Sequence, residues 1–193
     1  MKTGLFFGSF NPIHLGHLIV ANYMVEYSGI DELWFIISPH NPLKNTKNLL
    51  DEYERLDLLK LAIADNPKLV VNDIEFSLPR PSYTIDTLKY LEEQFPYREW
   101  VLVMGTDTVK TLPKWKNYEQ LISDYKIYAY SRPGFELGEE EVFPNLHWFK
   151  NVPLVEVSAT FIRHAIEKGK SIKYLVQDSV IKKIEESGQY LKK

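Results

Sequence analysis

Apolar residues follow two rhythms along this chain. Short unbroken runs recur at Gly4-Leu5-Phe6-Phe7-Gly8, Leu33-Trp34-Phe35-Ile36-Ile37, Leu69-Val70-Val71, Trp100-Val101-Leu102-Val103-Met104 and Lys126-Ile127-Tyr128-Ala129-Tyr130. Runs of that kind fit strands covered on both faces, as in a parallel sheet. Between them, apolar positions fall at helical spacing. Leu15, Leu18, Ile19 and Val25 predict a helix that reaches Ser28-Gly29. Leu56, Leu59, Ala62 and Ile63 predict a second, opened by Asp51 with Glu54 three residues on, a capping-box-like start. Ile85, Leu88 and Leu91 predict a third, capped by Ser82 or Thr84. Further helices are expected over residues 115–124, 158–168 and Asp178–Ser187, and a last strand at Leu154-Val155-Glu156-Val157.

Strands alternating with helices define an α/β fold, Rossmann-like and doubly wound, with a mainly parallel sheet, helices on both faces and a small helical C-terminal part. No repeat, low-complexity tract or linker divides the chain, so residues 1–193 are expected to form a single domain. Ligands in such folds gather outside the carboxyl ends of the strands. The polar residues that stand out follow predicted strands: residues 8–17, 39–44, 105–107 and 158–163.

Composition narrows the chemistry. The chain has 193 residues, no cysteine, and a net charge of −3 with acidic and basic residues interspersed. Disulfides, zinc–thiolate centres and cysteine nucleophiles are excluded. A nucleic-acid-binding role is disfavoured, because a basic stripe is missing. No apolar run approaches the ~20 residues that span a bilayer, and the N-terminus lacks the features of a signal peptide. The expectation is a soluble, cytoplasmic protein; a homo-oligomer is compatible with the sequence.

The most informative stretch is Gly8-Ser9-Phe10-Asn11-Pro12-Ile13-His14-Leu15-Gly16-His17. Glycine at a strand end lets backbone amides approach an anion, and the helix start that follows offers unpaired N–H donors and partial positive charge. Two histidines three apart can both donate to phosphate oxygens. Alone, the stretch is equally compatible with a capped helix start and two incidental histidines. A metal site is disfavoured, since H-x-x-H lacks a third ligand here. Near the other end, Ser158-Ala159-Thr160-Phe161-Ile162-Arg163 places hydroxyls at a helix start and an arginine one turn in, a grip suited to phosphates. Alone, it is an ordinary cap.

Together the two segments resemble the paired signatures of the HxGH nucleotidyltransferase superfamily. Within it the chain is most similar to the bacterial nicotinate-nucleotide adenylyltransferases. The added resemblance lies in Pro39-His40-Asn41-Pro42-Leu43-Lys44, Pro81-Ser82-Tyr83-Thr84-Ile85-Asp86-Thr87-Leu88, Gly105-Thr106-Asp107, Trp115 and Ser131-Arg132-Pro133-Gly134. The resemblance implies transfer of the adenylyl group of ATP to nicotinate mononucleotide, with Mg²⁺ accompanying ATP and no dedicated protein site for the metal. It implies His14, His17, Lys44 and Arg163 as catalytic residues. For ATP it implies Gly8, Ser9, Phe10, His17, Gly105, Asp107, Ser158, Thr160 and Arg163. For the nicotinate nucleotide it implies Lys44, Tyr83, Arg132, backbone amides near Thr84 for the carboxylate, and Trp115 stacked on the ring. The chain departs from the family at Phe7, Ser9 and Asn11, where glycine, threonine and aspartate are usual, and at Leu43, where histidine is usual. A relative acting on another acceptor and a noncatalytic nucleotide-binding protein on the same fold are the alternatives.

Overall fold

The structure is a computed structural model that describes residues 1–39 and 49–191. The five runs all form strands: β1 (Lys2–Gly8), β2 (Glu32–Ile37), β3 (Leu69–Asn72), β4 (Glu99–Gly105) and β5 (Lys126–Tyr130). A sixth, β6 (Leu146–Phe149), joins them. All pair in parallel, in the order β3-β2-β1-β4-β5-β6. The order reverses at β1, so a crevice opens between β1 and β4 at the carboxyl edge.

Alternate residues of each strand feed opposite faces, as a period of two demands. Leu33, Phe35 and Ile37 of β2 and Val101 and Val103 of β4 pack on one side. They meet α1 (Leu15–Tyr27), α2 (Glu52–Ile63), α6 (Ala159–Glu167) and α7 (Asp178–Ser187). Trp34, Ile36, Leu102 and Met104 pack on the other, under α3 (Thr84–Gln94), α4 (Thr106–Val109) and α5 (Tyr118–Asp124). Burial on both faces is why these strands read as unbroken apolar runs. No helix among the described residues is long and apolar enough to cross a membrane.

Four expectations need correction. Leu154-Val155-Glu156-Val157 is not a strand; it runs unpaired towards α6, with Leu154 and Val155 exposed. The edge place belongs to Leu146–Phe149, which pairs with β5 instead. The segment carrying Ser158 and Arg163 therefore follows a loop. The helix expected from residue 115 begins only at Tyr118, because Asn117 takes a left-handed φ of 52° and Trp115 closes a short 3₁₀ turn, Leu112–Lys114. At α3 the N-cap is Tyr83, and neither Ser82 nor Thr84 caps the helix. The Ser82 hydroxyl instead joins those of Thr87 and Ser38 on the buried Glu75 carboxyl. At α2, Asp51 does cap, accepting from the Tyr53 amide at 2.9 Å, whereas Glu54 accepts from Gln189 rather than completing a box.

Candidate active site

Parallel pairing brings the strand ends to one edge. Gly8 lies beside Ile37, and Gly105 beside Tyr130. A cavity of about 440 Å³ opens over this edge. Its lining includes Gly8, Ser9, Phe10, His14, Gly16, His17, Gly105, Asp107, Trp115, Arg132, Ser158, Thr160 and Arg163. Two segments nearly a chain length apart thus line one cavity.

Helix α1 points its start at the cavity. His14 is its N-cap, and no side-chain hydrogen bond closes the first turn. Such a start attracts an anion. The Leu15 and His17 amides are already taken by the Leu175 and His14 carbonyls at 2.9 and 3.0 Å, while Gly16 and His17 line the cavity. The His14 and His17 rings stack with centroids 3.6 Å apart, and the edges of Phe10 and Phe6 wall off His17 at 5.2 and 6.1 Å. His14 is buried, and its Nδ1 has no hydrogen-bond partner among the described residues. Burial, and secondarily the charge of Arg132, push its pKa down to about 4. At neutral pH His14 is therefore an uncharged imidazole with one N–H to donate.

On the facing side, Ser158 caps α6 by accepting from the Phe161 amide at 3.2 Å. The Thr160 hydroxyl accepts from Arg163 at 3.1 Å, and the other arm of that guanidinium donates to the Asn11 carbonyl at 2.7 Å. The two hydroxyls of the second segment thus stabilise the helix start and orient the arginine.

Gly105 allows a close approach: a Cβ there would lie 2.3 Å from the Asp107 carboxylate and 2.8 Å from Arg132 Cγ. Asp107 and Arg132 face each other at 4.0 Å, and the Arg132 amide donates to Thr106 Oγ1 at 2.9 Å. Trp115 is half-buried, one side against the core under α3 and α5 and one side on the cavity. Tyr83 and Thr84 are not in the cavity lining. They stand at the start of α3, where Lys116, the neighbour of the cavity-lining Trp115, pairs with Asp86 at 2.8 Å and lies 4.8 Å over the Tyr83 ring. Lys44 and His40 lie outside the described residues.

Arg55, Glu75 and Tyr190 escaped the sequence reading, and Asn11 entered it only as a departure from the family, without a role. Arg55 is completely buried; its guanidinium donates to the carbonyls of Ser9, Ser38, Pro39 and Leu50. It ties the ends of β1 and β2 to the entry of α2. Its position three and four residues before Leu58 and Leu59, on the buried stripe, is the signal that could have revealed it. Asn11 accepts from the Tyr190 hydroxyl at 2.9 Å and the Leu50 amide at 3.3 Å.

A doubly wound sheet with two helix starts and paired histidines over its switch point defines a nucleotide-handling α/β protein. The profile of the cytidylyltransferase-like family matches residues 5–165. The chain belongs to this family and, within it, to the nicotinate-nucleotide adenylyltransferases. It is 48% identical over 185 residues to a probable nicotinate-nucleotide adenylyltransferase of Cytophaga hutchinsonii, covering 93% of each chain. It is 47% identical over 194 residues to that of Flavobacterium psychrophilum, covering both chains fully. The fold is shared with Plasmodium falciparum nicotinic acid mononucleotide adenylyltransferase complexed with NaAD. There the TM-score is 0.84 at 20% identity, over 98% of this chain and 97% of that one.

Proposed function

We propose that the protein transfers the adenylyl group of ATP to nicotinate mononucleotide, releasing pyrophosphate and forming deamido-NAD by direct in-line displacement. The observation that carries this reading is the single cavity where the stacked His14–His17 pair, the Arg163 guanidinium and Trp115 come together. The names of the bacterial relatives support the substrates.

A phosphate monoester is anionic at neutral pH and is its own nucleophile, so no general base is required. One of its oxygens bonds to the α-phosphorus. The bond from that phosphorus to the β-bridging oxygen breaks, and pyrophosphate departs with the electron pair. No enzyme-bound intermediate forms. Catalysis is then alignment and stabilisation of spreading negative charge. His14, uncharged, and His17 donate to oxygens of the α-phosphoryl group as it becomes pentavalent. Arg163 holds the β- and γ-phosphates, and Lys44, carried over from the sequence resemblance, joins it. Asp107 accepts from ribose hydroxyls, and Arg132 supplies charge to the acceptor nucleotide. Mg²⁺ would arrive bound to the phosphates of ATP and would neutralise charge on the departing pyrophosphate. Among the described residues no group of three or more His, Asp or Glu side chains could hold a metal ion.

The nicotinate ring stacks on the cavity side of Trp115, and its carboxylate takes amides at the start of α3. The test is pyrophosphate release from MgATP with nicotinate and nicotinamide mononucleotides in parallel. Preference for the acid is expected. Preference for the amide would overturn the substrate, and no release with either would overturn the activity.

A further inference from the structure

Arg163 owes its aim to a residue that the reaction does not touch. Its guanidinium hangs between the Thr160 hydroxyl, one turn back on its own helix, and the carbonyl of Asn11 in the loop after β1. The Thr160 contact moves with α6. The Asn11 carbonyl is therefore the fixed reference that ties the arginine to the histidine side of the cavity.

That loop is held against its own preference. Phe10, just before Asn11, has a left-handed φ of 44°, unfavourable for a bulky side chain. Such a conformation persists only where its surroundings enforce it. Arg55 grips the Ser9 carbonyl at 2.7 Å, and the Asn11 side chain is pinned from outside the loop by the Leu50 amide and the Tyr190 hydroxyl.

Tyr190 reaches this place by a deliberate turn. After α7, Gly188 at φ 65° ends the helix. Tyr190 itself adopts a left-handed φ of 65°, and Gln189 between them is buried and donates to Glu54 of α2 at 3.1 Å. The phenol is half-buried among Arg55, Arg163 and Asn11. Burial pushes its pKa well up against the pull of the two arginines, so it stays a neutral O–H donor. Tyr190 does not line the cavity.

We infer that Tyr190 is a positioning residue of the triphosphate site: through the Asn11 side chain it fixes the carbonyl that aims Arg163 at the substrate. Asn11 is the joint, its amide oxygen facing the tail and its carbonyl facing the arginine. An aspartate at this position would offer the same acceptor. The inference rests on reading the cavity as the ATP site.

Tyr190→Phe removes only the hydroxyl, and calorimetric binding of Mg²⁺ with α,β-methylene-ATP, a non-reacting analogue, tests it directly. The variant should bind the analogue about fivefold more weakly, the effect of one lost hydrogen bond. KM for ATP should rise with a lower kcat, while KM for nicotinate mononucleotide stays at the wild-type value and the melting temperature falls by only a few degrees. Asn11→Leu should weaken analogue binding at least as much, Asn11→Asp less than Asn11→Leu, and the Tyr190→Phe/Asn11→Leu pair no more than Asn11→Leu alone. Wild-type analogue binding by Tyr190→Phe would overturn the inference. So would a parallel rise of both KM values, the mark of a merely structural role. Wild-type protein that binds the analogue but adenylylates nothing would sink the proposed reaction alone, because the binding comparison still reads Tyr190.

Discussion

The imidazoles of His14 and His17 lie face to face, their centroids 3.6 Å apart and their planes 25° from parallel. Two cationic rings so placed would repel each other. The structure avoids this by burying His14 beside Arg132, which lowers its pKa to about 4.

The first prediction concerns pH. The folded pKa of His14 lies below the unfolded value of 6.5, so between pH 6.5 and 4 the unfolded chain binds a proton that the folded protein does not. Stability then rises with pH across this window, and the contribution is lost on acidification. Urea midpoints of wild type and His14→Gln, compared at pH 7 and 4.5, should converge by about 2–3 kcal/mol as the pH falls. A gap that does not change with pH would mean that His14 titrates normally.

His17 faces the cavity and is expected to act as charge accumulates on the α-phosphoryl group. His17→Ala should lower kcat by about 10²–10³ and leave ATP affinity nearly intact. Lost ATP binding with kcat preserved would assign His17 to the ground state instead.

Trp115 serves both the core and the cavity. Trp115→Phe keeps an aromatic face and most of the packing, whereas Trp115→Ala removes both. KM for nicotinate mononucleotide should therefore rise modestly in the first and strongly in the second, with KM for ATP steady. Equal KM values in all three proteins would make the tryptophan purely structural.

Arg55 presents a planar fork to four backbone carbonyls and has no exposure. Lysine cannot match a fork, so Arg55→Lys should still destabilise the protein, by about 2–3 kcal/mol in chemical denaturation. Because the fork also shapes the loop after β1, kcat should fall under conditions where the variant remains folded. A fully active, fully stable Arg55→Lys protein would refute the clamp.

The sequence laid open the parts of this protein that are written locally. Strands buried on both faces appear as unbroken apolar runs, and α1, α2, α6 and α7 announce themselves by spacing and caps such as Asp51 and Ser158. The cavity-lining segments were legible for the same reason: Gly8, His14, His17 and Arg163 sit at fixed offsets from element ends, where backbone donors are exposed by geometry. Leu154-Val155-Glu156-Val157 misled because β-branched and apolar residues also suit an exposed cavity rim. Leu146–Phe149 won the edge position through pairing with β5, a partner no local pattern specifies.

Legible in the chain alone were an α/β sheet, strand ends where polar residues collect, and residue types able to hold phosphate. Strand order and the meeting of residues 8–17 with 158–163 arose only with folding. It alone stacked His14 on His17 and left His14 uncharged. It also gave Arg55, Asn11 and Tyr190 their work, through hydrogen bonds spanning 46, 152 and 179 residues. Propensity and periodicity act within a turn or two of chain. Burial, pKa and long-range hydrogen bonds exist only once distant segments have been brought together.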